Sequence, residues 1–265
     1  MYAFAYHRPA SLKLAAAALA KQKDAKALAG GHSLIPTMKL RLSDARNIVD
    51  LGAIKGIDGI ALKGKNLEIG AMTRHVAVAG SPVVRKAIPA LAELASLIGD
   101  PHVRHRGTLG GSIAHNDPSA DYPAACLALG ATIITTSRKI PAEKFFQGLF
   151  ETALGKSEII TAVSFPIPKR AGYAKFPNPA SRFALVGVFV ADFGKDVRVA
   201  VTGAGESGVF RAKEIEAELK KDFSADALAN IRFGPKGIMS DIHGDAAYRG
   251  HLIGVMARRA VAAAG

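Results

Sequence analysis

Two glycine pairs constrain this chain more than any other feature: Gly30-Gly31 within Ala29-Gly30-Gly31-His32-Ser33, and Gly110-Gly111 within the stretch from Gly107 to Asp121. Adjacent glycines leave a length of backbone without Cβ atoms, so another group can come up against the main chain. Successive bare N–H groups in such a turn form a concavity suited to an anion, typically phosphate. Thr108 and Ser112 flank the second pair with hydroxyls, and Ser33 follows the first. One turn of this kind is equally a tight chain reversal. Two of them point to a single diphosphate held from both sides, and hence to a dinucleotide.

The bulk properties bound the remaining choices. At 265 residues, 49% of them hydrophobic, the chain has room for two or three small domains with a real core. The opening residues Met1 to Pro9 lack a basic start followed by an apolar run, so no signal peptide is expected. The uncharged run Tyr122 to Ser137 is too short for a membrane span and is interrupted by Pro123 and Gly130. The cytoplasm is the expected compartment. Cys126 is the only cysteine; it allows no disulfide and no cysteine-ligated cluster, and its apolar neighbours mark it as a small buried hydrophobe. The net charge of +13 comes from scattered Lys and Arg without aromatic interleaving, and Trp is absent. That argues for a basic surface, an attraction for acidic partners or an anionic cofactor, and against a nucleic-acid binder.

Periodicity predicts a helix over Ser11 to Lys23, short strands at Lys26 to Ala29 and Ile48 to Leu51, and a hairpin between Ile60 and Gly70. A single helix is predicted from Pro82 to Ile98. A short apolar helix over Asp121 to Leu129 and strands at Thr132 to Thr136 and Glu158 to Phe165 follow. Beyond Ala171, strands at Phe183 to Phe193 and Val197 to Val201 precede helical patterns at Ala212 to Lys221, Ala225 to Ile231 and Asp245 to Ala263. Boundaries near Gly56 and Arg170 divide the chain into 1–56, 57–170 and 171–265. The one literal Gly-x-Gly-x-x-Gly run, Gly203 to Gly208, follows a strand and precedes a helix, yet no second strand ending in an acid completes a dinucleotide-binding unit. Glu206 would also set a negative charge beside the phosphates. The run is rejected as the cofactor site.

The sequence resembles a known family at both glycine loops. Leu28 to Pro36 followed by Lys39-Leu40-Arg41-Leu42, and Ile98-Gly99-Asp100-Pro101 through Arg106 to Ser112, are similar to the phosphate loops of the FAD-binding medium subunits of molybdenum hydroxylases. That family includes the carbon monoxide dehydrogenase medium subunit and the flavin domain of xanthine dehydrogenase. Ala120-Asp121, Pro123 to Ala125, Tyr173 to Phe176, Ser181-Arg182 and Ala247 to Leu252 extend the resemblance over essentially the whole chain. It implies an α+β fold: a two-part FAD-binding module of the vanillyl-alcohol-oxidase/PCMH type, plus a C-terminal α/β domain with a small antiparallel sheet packed on helices. It implies non-covalent FAD, with the diphosphate held by Ala29, Gly30, Gly31, His32 and Ser33 on one side. Thr108, Leu109, Gly110, Gly111 and Ser112 hold it on the other. Asp121 is expected at the flavin-bearing half, Ile35, Ile98 and Ile160 along the ring system, and Lys175 beside the isoalloxazine.

For His32 three roles stay open: covalent anchor, phosphate donor, or plain loop residue; the family precedent favours hydrogen bonding. His102, His105 and His115 lack zinc-ligand spacing. Asp117 reads as a structural cap. Two departures from the family pattern stand out: His105 replaces a frequent Asn, and Phe183 stands near a Tyr that covers the flavin in several members. The resemblance further implies a non-membrane electron-transfer subunit beside a large molybdenum-cofactor subunit and a small [2Fe-2S] subunit. The competing expectation is a stand-alone FAD-dependent oxidoreductase.

Overall fold

The computed structural model describes all 265 residues. Its strands form three main sheets. The first is a parallel sheet in which Asn47–Asp50 lies between Ala5–His7 and Ala25–Leu28. Helix Leu12–Lys21 covers it, capped by Ser11, whose Oγ accepts the Leu14 N–H, and it buries Ala15 and Leu19. Alanine dominates this helix, which has high helix propensity and lets the helix lie close to the sheet. The first glycine loop follows directly from strand Ala25–Leu28.

The second sheet is antiparallel, in the order Ile60–Lys63, Asn66–Gly70, Ile160–Pro166, Thr132–Thr135, Lys139–Pro141. The hairpin at Ile60 to Gly70 therefore forms where the sequence places it. The helix expected over Pro82 to Ile98 does not form as one piece. It divides into Pro82–Ala87 and Pro89–Ser96, with Ile88 at φ −144° and ψ 78° between them. Pro89 has no N–H to continue the ladder and pushes the preceding residue out of helical geometry. The break costs no burial: Val84, Ile88, Leu91 and Leu94 all remain in the core.

The third sheet is antiparallel, ordered Arg170–Pro177, Ala184–Asp192, Val197–Thr202, Phe210–Arg211. All nine residues of Ala184–Asp192 are buried. Phe189 and Ala191 face the largest core cluster, shared with the second sheet's helices, while Val186, Val188 and Val190 face helix Ala246–Ala263. A strand covered on both faces reads as a continuous apolar run, which is why it was legible. Strand Arg170–Pro177 has no counterpart among the strands the sequence predicts, because charged and small residues interrupt its alternation. The helical pattern at Ala225 to Ile231 yields only a 3-10 turn, Asp226–Leu228. The Gly203 to Gly208 run leads into strand Phe210–Arg211 rather than into a helix. Cys126 is fully buried, and burial pushes its thiol pKa up. No helix is long and apolar enough to cross a membrane.

Candidate functional site: a cleft between the two glycine loops

Both glycine loops open onto one cleft of about 630 Å³, within the range of small-molecule and cofactor sites. Ala29, Gly30, Gly31, His32 and Ser33 line one wall; Thr108, Gly110, Gly111 and Ser112 line the other. Ile98, Asp121 and Ile160 also face it, as does Phe183, which is 48% exposed at the rim.

The loops touch. A Cβ built on Gly30 would lie 2.2 Å from the Arg106 carbonyl oxygen and 2.7 Å from the Gly107 Cα, and one on Gly111 would lie 3.4 Å from the Ala29 Cβ. Gly31 adopts φ +78°, which turns the chain between strand Ala25–Leu28 and helix Leu34–Lys39.

The two loops differ in what they offer an anion. The N–H groups of Gly30, Gly31, His32 and Ser33 have no protein acceptor. In the second loop the Leu109 N–H donates to Thr73 O at 3.0 Å and the Gly110 N–H to Ala71 O at 2.8 Å. The Gly111 N–H donates to Thr108 Oγ1 at 3.2 Å. This segment is the capped start of helix Leu109–His115 rather than an open turn. The bare backbone of Gly110 serves packing, since a Cβ there would meet the Ala71 Cβ at 2.6 Å. The row of available amides thus lies on the first wall; the second contributes the Thr108 N–H, which also has no protein acceptor, and the Thr108 and Ser112 hydroxyls, each with a proton to donate.

Three expected residues lie off the cleft surface. Leu109 is fully buried in the core beneath it. Ile35 packs behind the first loop, its Cγ1 3.2 Å from where a Gly31 Cβ would be. Lys175 is engaged by protein groups. Its side chain is 3% exposed, ion-paired with Asp121 Oδ1 at 2.9 Å and donating to Leu97 O at 2.7 Å. Tyr173 donates to the same Asp121 oxygen at 2.5 Å. Burial raises the Asp121 carboxyl pKa, with the Lys175 ammonium and the Tyr173 hydroxyl acting in the opposite direction. Asp121 precedes helix Tyr122–Ala128 without capping it through its side chain. Asp117 instead closes a local turn, Oδ1 accepting the Ser119 N–H at 2.8 Å. The His105 ring turns to its own helix, Nδ1 lying 2.7 Å from Pro101 O, and does not line the cleft.

Other lining residues were not legible. Phe150 and Arg182 reach the rim in left-handed backbone conformation, at φ 58° and 61°. His75 lines the wall beside Gly107. Glu158 also lines the cleft, and Arg138 holds it with Nε and Nη2 contacts of 3.0 Å each. The Arg138 bonds, opposed by burial and helped by the Gly155 N–H and Thr135 hydroxyl, lower its pKa from 4.5 to about 2. A depressed carboxyl pKa stabilises the fold fully above the unfolded value and loses that contribution as pH falls. Denaturant midpoints of the wild type and Glu158→Gln should therefore differ most above pH 4.5 and converge toward pH 2. A difference that grows with acidification would contradict this assignment.

The FAD binding domain in molybdopterin dehydrogenase matches residues 2–168. The chain belongs to this family. Members similar to it along nearly their whole length include the carbon monoxide dehydrogenase medium chain of Hydrogenophaga pseudoflava, 35% identical, with 98% of this chain and 96% of the relative covered. The nicotine 6-hydroxylase medium subunit of Paenarthrobacter nicotinovorans is 34% identical over 99% and 98%. Among solved structures of the family, a chain of reconstituted CO dehydrogenase from Oligotropha carboxidovorans superposes with a TM-score of 0.90 at 34% identity, covering 100% of this chain and 99% of that one.

Proposed function

We propose that this chain is the FAD-carrying subunit of a molybdenum-containing hydroxylase or dehydrogenase, passing electrons from iron–sulfur clusters on a partner to an external acceptor. The observation that carries the proposal is the row of unclaimed amides at Gly30 to Ser33, facing a cleft closed by the second glycine loop. The cradle fits the cofactor on its own chemistry. Unpaired N–H donors suit a diphosphate, and a Cβ at Gly30 would fill the contact between the walls.

The fold reads as a two-part PCMH-type FAD module, 1–56 and 57–170, followed by a C-terminal domain over 171–265. Ala29 to Ser33 bind the diphosphate through backbone, Thr108 and Ser112 through hydroxyls. Ile98 and Ile160 give the cleft apolar surface, Phe183 offers a stacking face at its mouth, and Asp121 fixes the wall to the C-terminal sheet through Tyr173 and Lys175. Bound FAD supplies the redox chemistry, and the protein supplies binding, orientation and electrostatics. A single cysteine cannot ligate a cluster, so clusters belong on a small [2Fe-2S] subunit and the molybdenum cofactor on a large one. The relatives' names, medium chain and medium subunit, favour this division over a stand-alone oxidoreductase. The complex is assigned to the cytoplasm.

The test is co-purification with the neighbouring large and small subunits, followed by visible spectroscopy. Substrate should bleach a flavin absorption band only when all three chains are present. Flavin reduction by substrate with this chain alone would favour the stand-alone reading, and no flavin in the assembled complex would refute both.

A further inference from the structure

His75 is 4% exposed. Its Nδ1 is sealed in the protein without a hydrogen-bond partner, and so is the Tyr122 hydroxyl. The two rings lie 5.3 Å apart. The other edge of the imidazole faces the cleft wall: His75 lines the cleft, and its Nε2 stands 2.5 Å from where a Cβ on Gly107 would be. Gly107 in turn lies under Gly30, in the loop whose amides are unclaimed.

The charges acting on this ring are both positive, His32 from the first loop and Arg104 from helix Pro101–Arg106. Burial first, then these two charges, lower its pKa from 6.5 to about 4, so the imidazole is neutral at pH 7. The helices packed against its own also carry Arg85, Lys86, Glu93, His102, His105 and Arg106; none of these is among the charges that move it. Asp121, next to Tyr122, is taken by Lys175 and Tyr173.

We propose that His75 is a proton-linked donor to the flavin nucleotide's diphosphate: ligand binding draws one proton from solvent onto the imidazole. This rests on the FAD reading above. The imidazolium carries two N–H donors. Nε2–H meets the anion, and Nδ1–H meets the Tyr122 oxygen, directly or through one water, so both unpartnered atoms are satisfied by one event. The anion also offsets the Arg104 charge that opposes protonation in its absence. FAD affinity must then rise as pH falls, because the bound state holds the extra proton.

Calorimetric titration of the full chain with FAD, in buffers of different ionisation enthalpy between pH 5.5 and 8, reads this directly. The expected result is uptake approaching one proton at the acidic end, where affinity falls about tenfold per pH unit, and a slope that flattens as uptake is lost. His75→Gln, which keeps a donor but cannot titrate, should bind FAD with a flat pH profile. His105→Gln, whose ring does not line the cleft, should retain the uptake. Tyr122→Phe, which keeps the ring and removes the hydroxyl, should reduce uptake and decides the matter if His75→Gln does not fold. FAD binding with no proton uptake, or uptake undiminished in His75→Gln, overturns the proposal and leaves the FAD reading standing. A wild-type chain and complex that bind no FAD overturn both.

Discussion

Gly30→Ala should cost FAD affinity about 5- to 150-fold, the equivalent of about 1–3 kcal/mol of overpacking. The added methyl would lie 2.2 Å from the Arg106 carbonyl oxygen and 2.7 Å from the Gly107 Cα. Both are backbone atoms and have no rotamer by which to yield. Relief requires the walls to part, which moves the amides of Gly30 to Ser33 away from the position that the Thr108 and Ser112 hydroxyls share. Gly80→Ala is the control: a Cβ there meets nothing within 4 Å, so affinity should be unchanged. Fluorescence titration with FAD checks the pair, and wild-type affinity in Gly30→Ala would remove the loop contact from the account.

The second large effect is on stability. Lys175→Met should destabilise the chain by about 3–5 kcal/mol, the usual cost of stripping one partner from a buried ion pair. The Asp121 carboxylate would then keep only the Tyr173 hydroxyl for company in a site that is 4% exposed. The double variant Asp121→Asn/Lys175→Met should recover part of the loss, since no uncompensated charge remains. Denaturant unfolding measures both. A cost below about 1 kcal/mol for the single variant is the range of exposed pairs and would contradict the burial assigned here.

These two cases show where the sequence was readable. The glycine pairs announced a shared cleft, because bare backbone at both places has few other uses. Strand Ala184–Asp192 and the cap at Ser11 were equally plain, one from unbroken apolarity and the other from local chemistry. What each glycine does was hidden. Gly110 and Gly111 look like Gly30 and Gly31 on paper, yet the amides of Leu109 and Gly110 are claimed by Thr73 and Ala71, residues distant in sequence. The ion pair of Lys175 was equally hidden, since its partner Asp121 becomes visible only once strand Arg170–Pro177 is laid beside the segment that carries it. Pro89 was in plain view within an otherwise continuous helical stripe, and periodicity outweighed it. His75 carried no signal at all: a lone histidine after Arg74 gives no hint that Gly107 exposes one of its edges.

The central claim is that free peptide N–H groups of the first loop receive a diphosphate. Amide chemical shifts of the full chain, followed during titration with FAD, ADP and riboflavin, test it most directly. The account predicts that Gly30, Gly31, His32 and Ser33 shift strongly with FAD and ADP and hardly at all with riboflavin, which has no diphosphate. FAD binding that leaves these four amides unmoved would contradict it.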